Sequence, residues 1–179
     1  MASQGPNNPG TAATVDGANT AWTNVNNIKV LDGSLSEVDI TSTHPSQYLQ
    51  GTNYGFSIPV GATINGIVVN VARDAEGIDS TMTDKTVELL KGGVLTGSNK
   101  ADTVNTWIAT PVTITYGGVG DLWGTTWSVA EINAIDFGLA FQIQSNDTTD
   151  FGNVGVDNIN ITVYYTPAAA NVILAWTVA

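Results

Sequence analysis

The chain has 179 residues, of which 42% are hydrophobic and only 12% are charged, and it contains no cysteine. This length suits one domain with its own core, and the lack of cysteine excludes disulfides, thiolate nucleophiles and cysteine-based zinc sites. Five basic residues against sixteen acidic ones give a formal net charge of −11. Because no basic stripe could neutralise phosphates, we expect neither a nucleic acid nor an anionic membrane as partner.

The chain also lacks the hydrophobic segments that target proteins to membranes. No apolar run approaches the ~20 residues needed to span a bilayer. The N-terminus, MASQGP, has neither the basic start nor the apolar stretch of a signal peptide. We therefore expect a soluble protein that is not exported through the Sec route.

Residues 1–20 are mostly Gly, Asn, Pro, Ala and Thr, with hardly a large apolar side chain. Such a segment cannot bury enough surface to offset the loss of chain entropy on ordering. It is predicted to be an extended N-terminal arm that is either disordered or laid on a neighbouring surface.

Strand signals follow in the next part of the chain. Apolar and polar residues alternate over 112–116, 137–144 and 158–165, which is typical of half-buried strands. Residues 64–73 carry apolar side chains on both faces, which predicts a central strand. Further strands are predicted at residues 28–31, 35–40, 48–58, 86–90 and 172–177.

One short helix is predicted among these strands. Ser128 and Glu131 have the spacing of a capping box, so the helix should run from Val129 to about Ala134. Short strands separated by Gly, Asn and Pro turns favour an all-β fold, an antiparallel β-sandwich of the jelly-roll kind. The sandwich domain is predicted to cover residues 21–166, with extended termini.

Residues that could carry catalysis have simpler interpretations. His44 is the only histidine, it precedes Pro45 in a turn-like stretch, and no GxSxG motif accompanies it, so we interpret it as a surface residue. Asp121, Glu131 and Asp136 lie near aromatic residues, but helix capping and turns explain them equally well. We therefore expect a protein that is not an enzyme.

Two acidic stretches contain the oxygen ligands that calcium prefers. Residues 146–150 with Gly152 and Asn153 carry oxygen ligands at short spacing. A second group contains Asp74, Glu76, Asp79 and Asp84. Neither matches the EF-hand pattern, and Asx residues are common in turns between strands. We expect no metal and no other cofactor.

Three tryptophans, Trp107, Trp123 and Trp127, allow two interpretations. Their rings could stack on sugars at the surface, or they could fill the core of the sandwich. Buried tryptophan is the more frequent case in this kind of fold, so we favour the core.

Three segments together resemble a motif set of small β-sandwich proteins encoded by tailed bacteriophages and prophages. They are GFSIPVGATINGI at residues 55–67, the elements YGG, DLWG, W, IN and FG between residues 116 and 138, and VDNINITVYYT at residues 156–166. Most proteins of this group are structural components of the virion. The resemblance concerns an architecture and brings no catalytic residues with it.

The resemblance implies a capsid decoration (cement) protein that binds and stabilises the major capsid protein shell. It further implies a position on the capsid surface of the virion after assembly in the host cytoplasm, and a homo-oligomer, for which we expect a trimer. The alternative is a carbohydrate- or receptor-binding module of a tail or head fibre, with a glycan as partner.

The C-terminal tail, residues 167–179, contains the apolar side chains Val172, Ile173, Leu174 and Trp176. These are too apolar to be left in water, so they should pack on this domain or on a neighbour. They are the predicted partner-binding residues.

Overall fold

The computed structural model describes residues 1–16, 19–41, 43–75, 81–147 and 152–169. In this part of the chain, strands form two antiparallel sheets that pack face to face, with one 3-10 helix at Val25–Ile28 and one short α-helix. The bounds are β1 (Ala2–Asn7), β2 (Thr11–Val15), β3 (Ser36–Ile40), β4 (Tyr48–Thr52), β5 (Thr63–Asp74), β6 (Met82–Lys91), β7 (Val94–Thr96), β8 (Val112–Gly118), α1 (Val129–Ile132), β9 (Gly138–Ser145) and β10 (Gly152–Thr166).

The connectivity is that of a jelly roll. Sheet A has the order β1-β10-β5-β8, and β3 also pairs with β10; sheet B has the order β2-β4-β9-β6-β7. Strands β3 to β10 thus form two four-stranded layers, β3-β10-β5-β8 and β4-β9-β6-β7, between which the chain crosses repeatedly. The predicted all-β antiparallel sandwich is confirmed.

The N-terminal segment is extended as predicted, but it belongs to the sandwich. Ala2 pairs with Tyr165 at the edge of sheet A, and Thr11 pairs with Thr52 at the edge of sheet B. The sandwich therefore begins at Ala2 rather than at residue 21. Edge strands are held by backbone hydrogen bonds, which do not require large apolar side chains.

The four strands predicted from alternation are all present, as β5, β8, β9 and the C-terminal part of β10. Two weaker predictions were wrong, one entirely and one in part. No strand forms at residues 28–31, because Ile28 ends the 3-10 helix and Lys29 makes only an isolated bridge, and the predicted strand 48–58 ends at Thr52. Asn53 and Gly55 have φ of 57° and 67°, in the left-handed region, which interrupts a strand. Residues 172–177 lie outside the described residues.

The short helix has the predicted capping box. The Ser128 hydroxyl accepts from the Glu131 amide at 3.2 Å, and the Glu131 carboxylate accepts from the Ser128 amide at 2.7 Å. The hydrogen bond from the Ser128 amide holds the pKa of Glu131 below its ordinary value. The helix ends at Ile132, two residues before the predicted end.

Aromatic side chains fill one end of the core. Phe137 contacts Trp127 edge-on, with ring centroids 5.4 Å apart, and also packs against Phe56 and Tyr54. Tyr54 is buried, and its hydroxyl has no hydrogen-bond partner among the residues that the structure describes. Burial raises the pKa of Tyr54 well above its ordinary value.

Replacing Tyr54 with phenylalanine is expected to leave the free energy of unfolding unchanged or to raise it by up to about 1 kcal/mol. The hydroxyl loses its hydration on folding and gains no partner, so removing it eliminates an unfavourable desolvation free energy. Urea denaturation of the purified variant measures the change. Tyr116→Phe is the control, because the Tyr116 hydroxyl donates to Asp84 at 2.7 Å. Equal losses in both variants would contradict the prediction.

Candidate ligand-binding face

The tryptophans considered as sugar platforms lie in the core. Trp107, Trp123 and Trp127 are 1%, 0% and 7% exposed. Each indole N–H donates a hydrogen bond of 3.0 Å to an oxygen of the chain itself. The core interpretation is confirmed, and these rings offer no surface for a ligand.

Each of these three rings also has a basic side chain over its face. The pairs are Arg73 with Trp107 at 4.5 Å, Lys91 with Trp127 at 4.7 Å and Lys100 with Trp123 at 5.5 Å from the ring centroid. Cation–π attraction of this kind stabilises both partners. Three of the five basic residues of the chain thus contact tryptophan rings.

The same three cations also pair with carboxylates. The ion pairs are Arg73 with Asp84, Lys91 with Glu131 at 3.4 Å and Lys100 with Asp121 at 2.7 Å. Partial burial would raise the pKa of Asp121, but the hydrogen bonds from Lys100 and from the Trp123 amide lower it below its ordinary value. Asp121 and Glu131 therefore serve the local structure, as predicted, and Asp136 is an exposed turn residue.

Asp84 is the centre of a buried polar cluster. It is 0% exposed and accepts hydrogen bonds from Tyr116, from Trp107 and from the Asp102 amide, at 2.7, 3.0 and 3.0 Å, besides its ion pair with Arg73. The cluster holds the segment that crosses from sheet B to sheet A over the side of the sandwich. Its carboxylate oxygens are all engaged, so Asp84 cannot serve as a calcium ligand.

The remaining metal and catalytic candidates do not form a site among the described residues. Glu76, Asp79 and most of the loop 146–150 lie outside the described residues. Where the structure describes the chain, no group of three or more acidic or histidine side chains could hold a metal ion. His44 is exposed, in agreement with its interpretation as a surface residue.

A different set of residues forms a polar surface on the outside of sheet B. Strand β9 lies in the middle of this sheet and turns Leu139, Phe141 and Ile143 into the core. The residues between them face outward because side chains alternate along a strand. Those residues are Gly138, Ala140, Gln142 and Gln144. The outer side of β9 therefore consists of two small residues and two glutamines, of which Ala140 is 0% and Gln142 5% exposed.

The neighbouring strands place two longer polar side chains on either side of Ala140. Gln50 of β4 and Glu88 of β6 are both paired with Ala140 in the sheet register. Adjacent strands are about 4.8 Å apart, so the Cα atoms of Gln50 and Glu88 are about 10 Å apart. Both side chains are half-buried, and neither makes a hydrogen bond or ion pair within the described chain.

The adjoining row of the face is fixed by hydrogen bonds. The Gln142 amide donates to the Ser46 carbonyl at 2.7 Å, and its oxygen accepts from the Thr86 hydroxyl at 3.1 Å. Tyr48, half-buried, lies beside Gln50 at the end of β4. We use the name polar face for the surface formed by the half-buried side chains of Tyr48, Gln50, Glu88 and Gln144 together with Gln142, which is only 5% exposed.

Sequence reasoning identified the alternation of β9 but missed the polar face. The polar residues of 137–144 were visible as one side of a strand, whereas Gln50 and Glu88 come from distant parts of the chain. Only the pairing of β4 and β6 with β9 brings them to Ala140. Apart from the small outward residues of β9, no local signal marks the site.

The predicted partner-binding residues Val172, Ile173, Leu174 and Trp176 lie outside the described residues. The capsid partner, the trimer and the position on a virion stay predictions from the sequence. No helix among the described residues is long and apolar enough to cross a membrane.

No protein-family model and no curated protein matches this chain. Solved structures do resemble it. An arabinose-bound α-L-arabinofuranosidase matches with a TM-score of 0.51 at 8% identity, over 86% of this chain and 23% of that one. The CBM22-1–GH10 modules of Clostridium thermocellum xylanase 10B, complexed with xylohexaose, match with a TM-score of 0.46 at 15% identity, over 96% and 28%.

A third similar structure is the N-terminal cellulose-binding domain of β-1,4-glucanase C from Cellulomonas fimi. Its TM-score is 0.44 at 13% identity, with 90% of each chain covered. This chain spans only about a quarter of the first two structures. At such low identities a likeness concerns the fold alone, and only the first score exceeds 0.5. The chain has the fold of a β-sandwich domain.

Proposed function

We propose that this domain binds uncharged polysaccharide through the polar face, without hydrolysing it. The observation that supports the proposal is the row Gln50–Ala140–Glu88, in which two unpartnered polar side chains face outward across a short one. A glutamine amide both donates and accepts hydrogen bonds, and a carboxylate accepts them. Together they complement sugar hydroxyls, which also do both.

The polar face is pre-organised for a ligand. Gln142 is held by hydrogen bonds at both ends of its amide, and the side chains stand on paired strands rather than on loops. Less side-chain entropy is lost on binding when groups are already ordered. An extended glycan chain crossing the middle of the sheet would meet several of these groups in turn.

The placement of the acidic groups supports binding without hydrolysis. Glycoside hydrolysis commonly uses two carboxyl groups on opposite sides of the scissile bond. Glu88 is the one acidic side chain that the described strands of sheet B present on the polar face. The other carboxylates discussed above, Asp84, Asp121 and Glu131, are engaged by cations elsewhere.

Titration calorimetry with neutral oligosaccharides of glucose, xylose and galactose tests the proposal. Xylohexaose is a suitable first probe, because the xylanase 10B modules are complexed with it. We expect wild type to bind at least one of these chains, and Gln50→Ala to weaken that binding by about tenfold, since one good hydrogen bond to a ligand contributes about 1 kcal/mol or more.

The matched control is Thr113→Ala, which removes an exposed polar group from sheet A and should bind like wild type. No binding to any of the three neutral series, or equal affinity of wild type and Gln50→Ala, would overturn the proposal. Release of reducing sugar from the bound chain would contradict the expectation that the domain does not hydrolyse its ligand.

A further inference from the structure

We propose that Glu88 makes the polar face selective for uncharged glycans and against glycans that carry carboxylate groups. This inference rests on the proposed function and names the ligand class of the same face. The row of residues around Ala140 creates this selectivity, and Glu88 is the side chain responsible for it.

The position of Glu88 places a negative charge in the middle of the face. Its partner in the register is Ala140, whose side chain is a single methyl group, and Gln50 lies on the far side. A sugar that reaches the Gln50 amide must therefore lie close to the Glu88 carboxylate. A uronic acid at that place would bring two like charges within a few ångströms of each other, which weakens binding.

No cation among the described residues forms an ion pair with this carboxylate. Arg73, Lys91 and Lys100 are each held by a carboxylate and a tryptophan ring. Lys29 makes its backbone bridge with Asn158 of β10, on sheet A. That leaves Lys85 as the remaining candidate.

Lys85 lies three residues before Glu88, at an irregular point of β6. The register of β6 against β9 shifts between Asp84 and Thr86, so Lys85 is the extra residue of a bulge and leaves the alternation. Its side chain is exposed and makes no ion pair within the described residues. Glu88 therefore has no ion-pair partner among the described residues, in a chain whose net charge is −11.

The test compares neutral chains with their carboxylate-bearing forms. The probes are glucose and galactose oligosaccharides with their C6-oxidised counterparts, and xylose oligosaccharides with and without glucuronic acid branches. For each series that binds, we expect wild type to prefer the neutral form by about tenfold or more at low salt. Raising the ionic strength from about 0.02 to about 0.5 M should reduce this preference, because the charges face solvent.

The decisive variant is Glu88→Gln, which keeps the shape of the side chain and a hydrogen-bond acceptor. It should bind the neutral and the charged form within about threefold of each other. Glu37→Gln is the matched control, because it removes the same charge from sheet A, and it should keep the wild-type preference.

The outcomes separate the two proposals. If the neutral and charged forms bind wild type equally, the selectivity is disproved while the binding function stands. If Glu37→Gln relaxes the preference as much as Glu88→Gln does, overall charge is responsible and the assignment to Glu88 is wrong. If no neutral chain binds, the proposed function itself fails.

Discussion

Replacing Asp84 with asparagine is expected to lower the free energy of unfolding by about 3–5 kcal/mol. The change removes the carboxylate that pairs with Arg73, a residue that is only 5% exposed. A buried guanidinium without a counter-ion has lost its hydration and gains no electrostatic attraction that offsets this loss. Urea denaturation followed by tryptophan fluorescence measures the loss.

The geometry makes asparagine a poor substitute despite its similar shape. Both carboxylate oxygens of Asp84 accept hydrogen bonds, one from Trp107 and Arg73 and the other from Tyr116 and the Asp102 amide. In asparagine one of the two positions becomes an NH₂ group, which would face donors. A buried donor without an acceptor adds to the loss of the ion pair.

Two further variants separate the ion pair from other effects of the substitution. Glu37→Gln removes the same charge from a half-buried position in sheet A and should change the free energy of unfolding by less than about 0.5 kcal/mol. The double variant with Arg73→Met should lose less than the sum of the two single changes, since the residues act as a pair. A loss below about 1 kcal/mol in Asp84→Asn would contradict the prediction.

Phe137→Ala should cost about 3–5 kcal/mol, the usual range for truncating a buried phenylalanine. Its ring is fully buried and contacts the rings of Trp127, Phe56 and Tyr54. Removal leaves a cavity that these large rings cannot fill without leaving their rotamers. The edge-on ring contacts are lost as well, each contributing about 0.5–1.5 kcal/mol.

Ile135→Ala, two residues earlier in the same segment, is the control for Phe137→Ala. Ile135 is 76% exposed, so truncating it should change the free energy of unfolding by no more than about 0.5 kcal/mol. Thermal unfolding of both variants, measured together with urea titrations, gives the comparison. Similar losses in the two variants would show that the aromatic cluster is not the source of the stability at this end.

Much of the fold could be predicted because its signals are local. Alternation of apolar and polar residues marks β5, β8, β9 and β10, since every second side chain of a strand faces the core. The capping box of Ser128 and Glu131 is also a local pattern and begins the helix at the predicted residue. Burial of the tryptophans follows from their size and from the rarity of exposed indole rings in this kind of fold.

Two strands that the sequence failed to predict are held by backbone pairing rather than by apolar side chains. Residues 2–7 and 11–15 have too few apolar side chains for a strand signal, yet they complete the edges of both sheets. Their hydrogen-bond partners lie in β10 and β4, and no local pattern identifies a partner strand. The predicted strand 48–58 failed for the opposite reason, because the left-handed Asn53 ends a segment of suitable composition.

The polar face depends on contacts between residues far apart in the chain. Residues 50, 88 and 140 lie on three strands, and a shift of one residue in either pairing would turn a different side chain outward. The sequence alone therefore specifies most of the core strands and which of their sides is apolar. The register between strands, which depends on long-range packing of the whole core, places Gln50 and Glu88 together across Ala140.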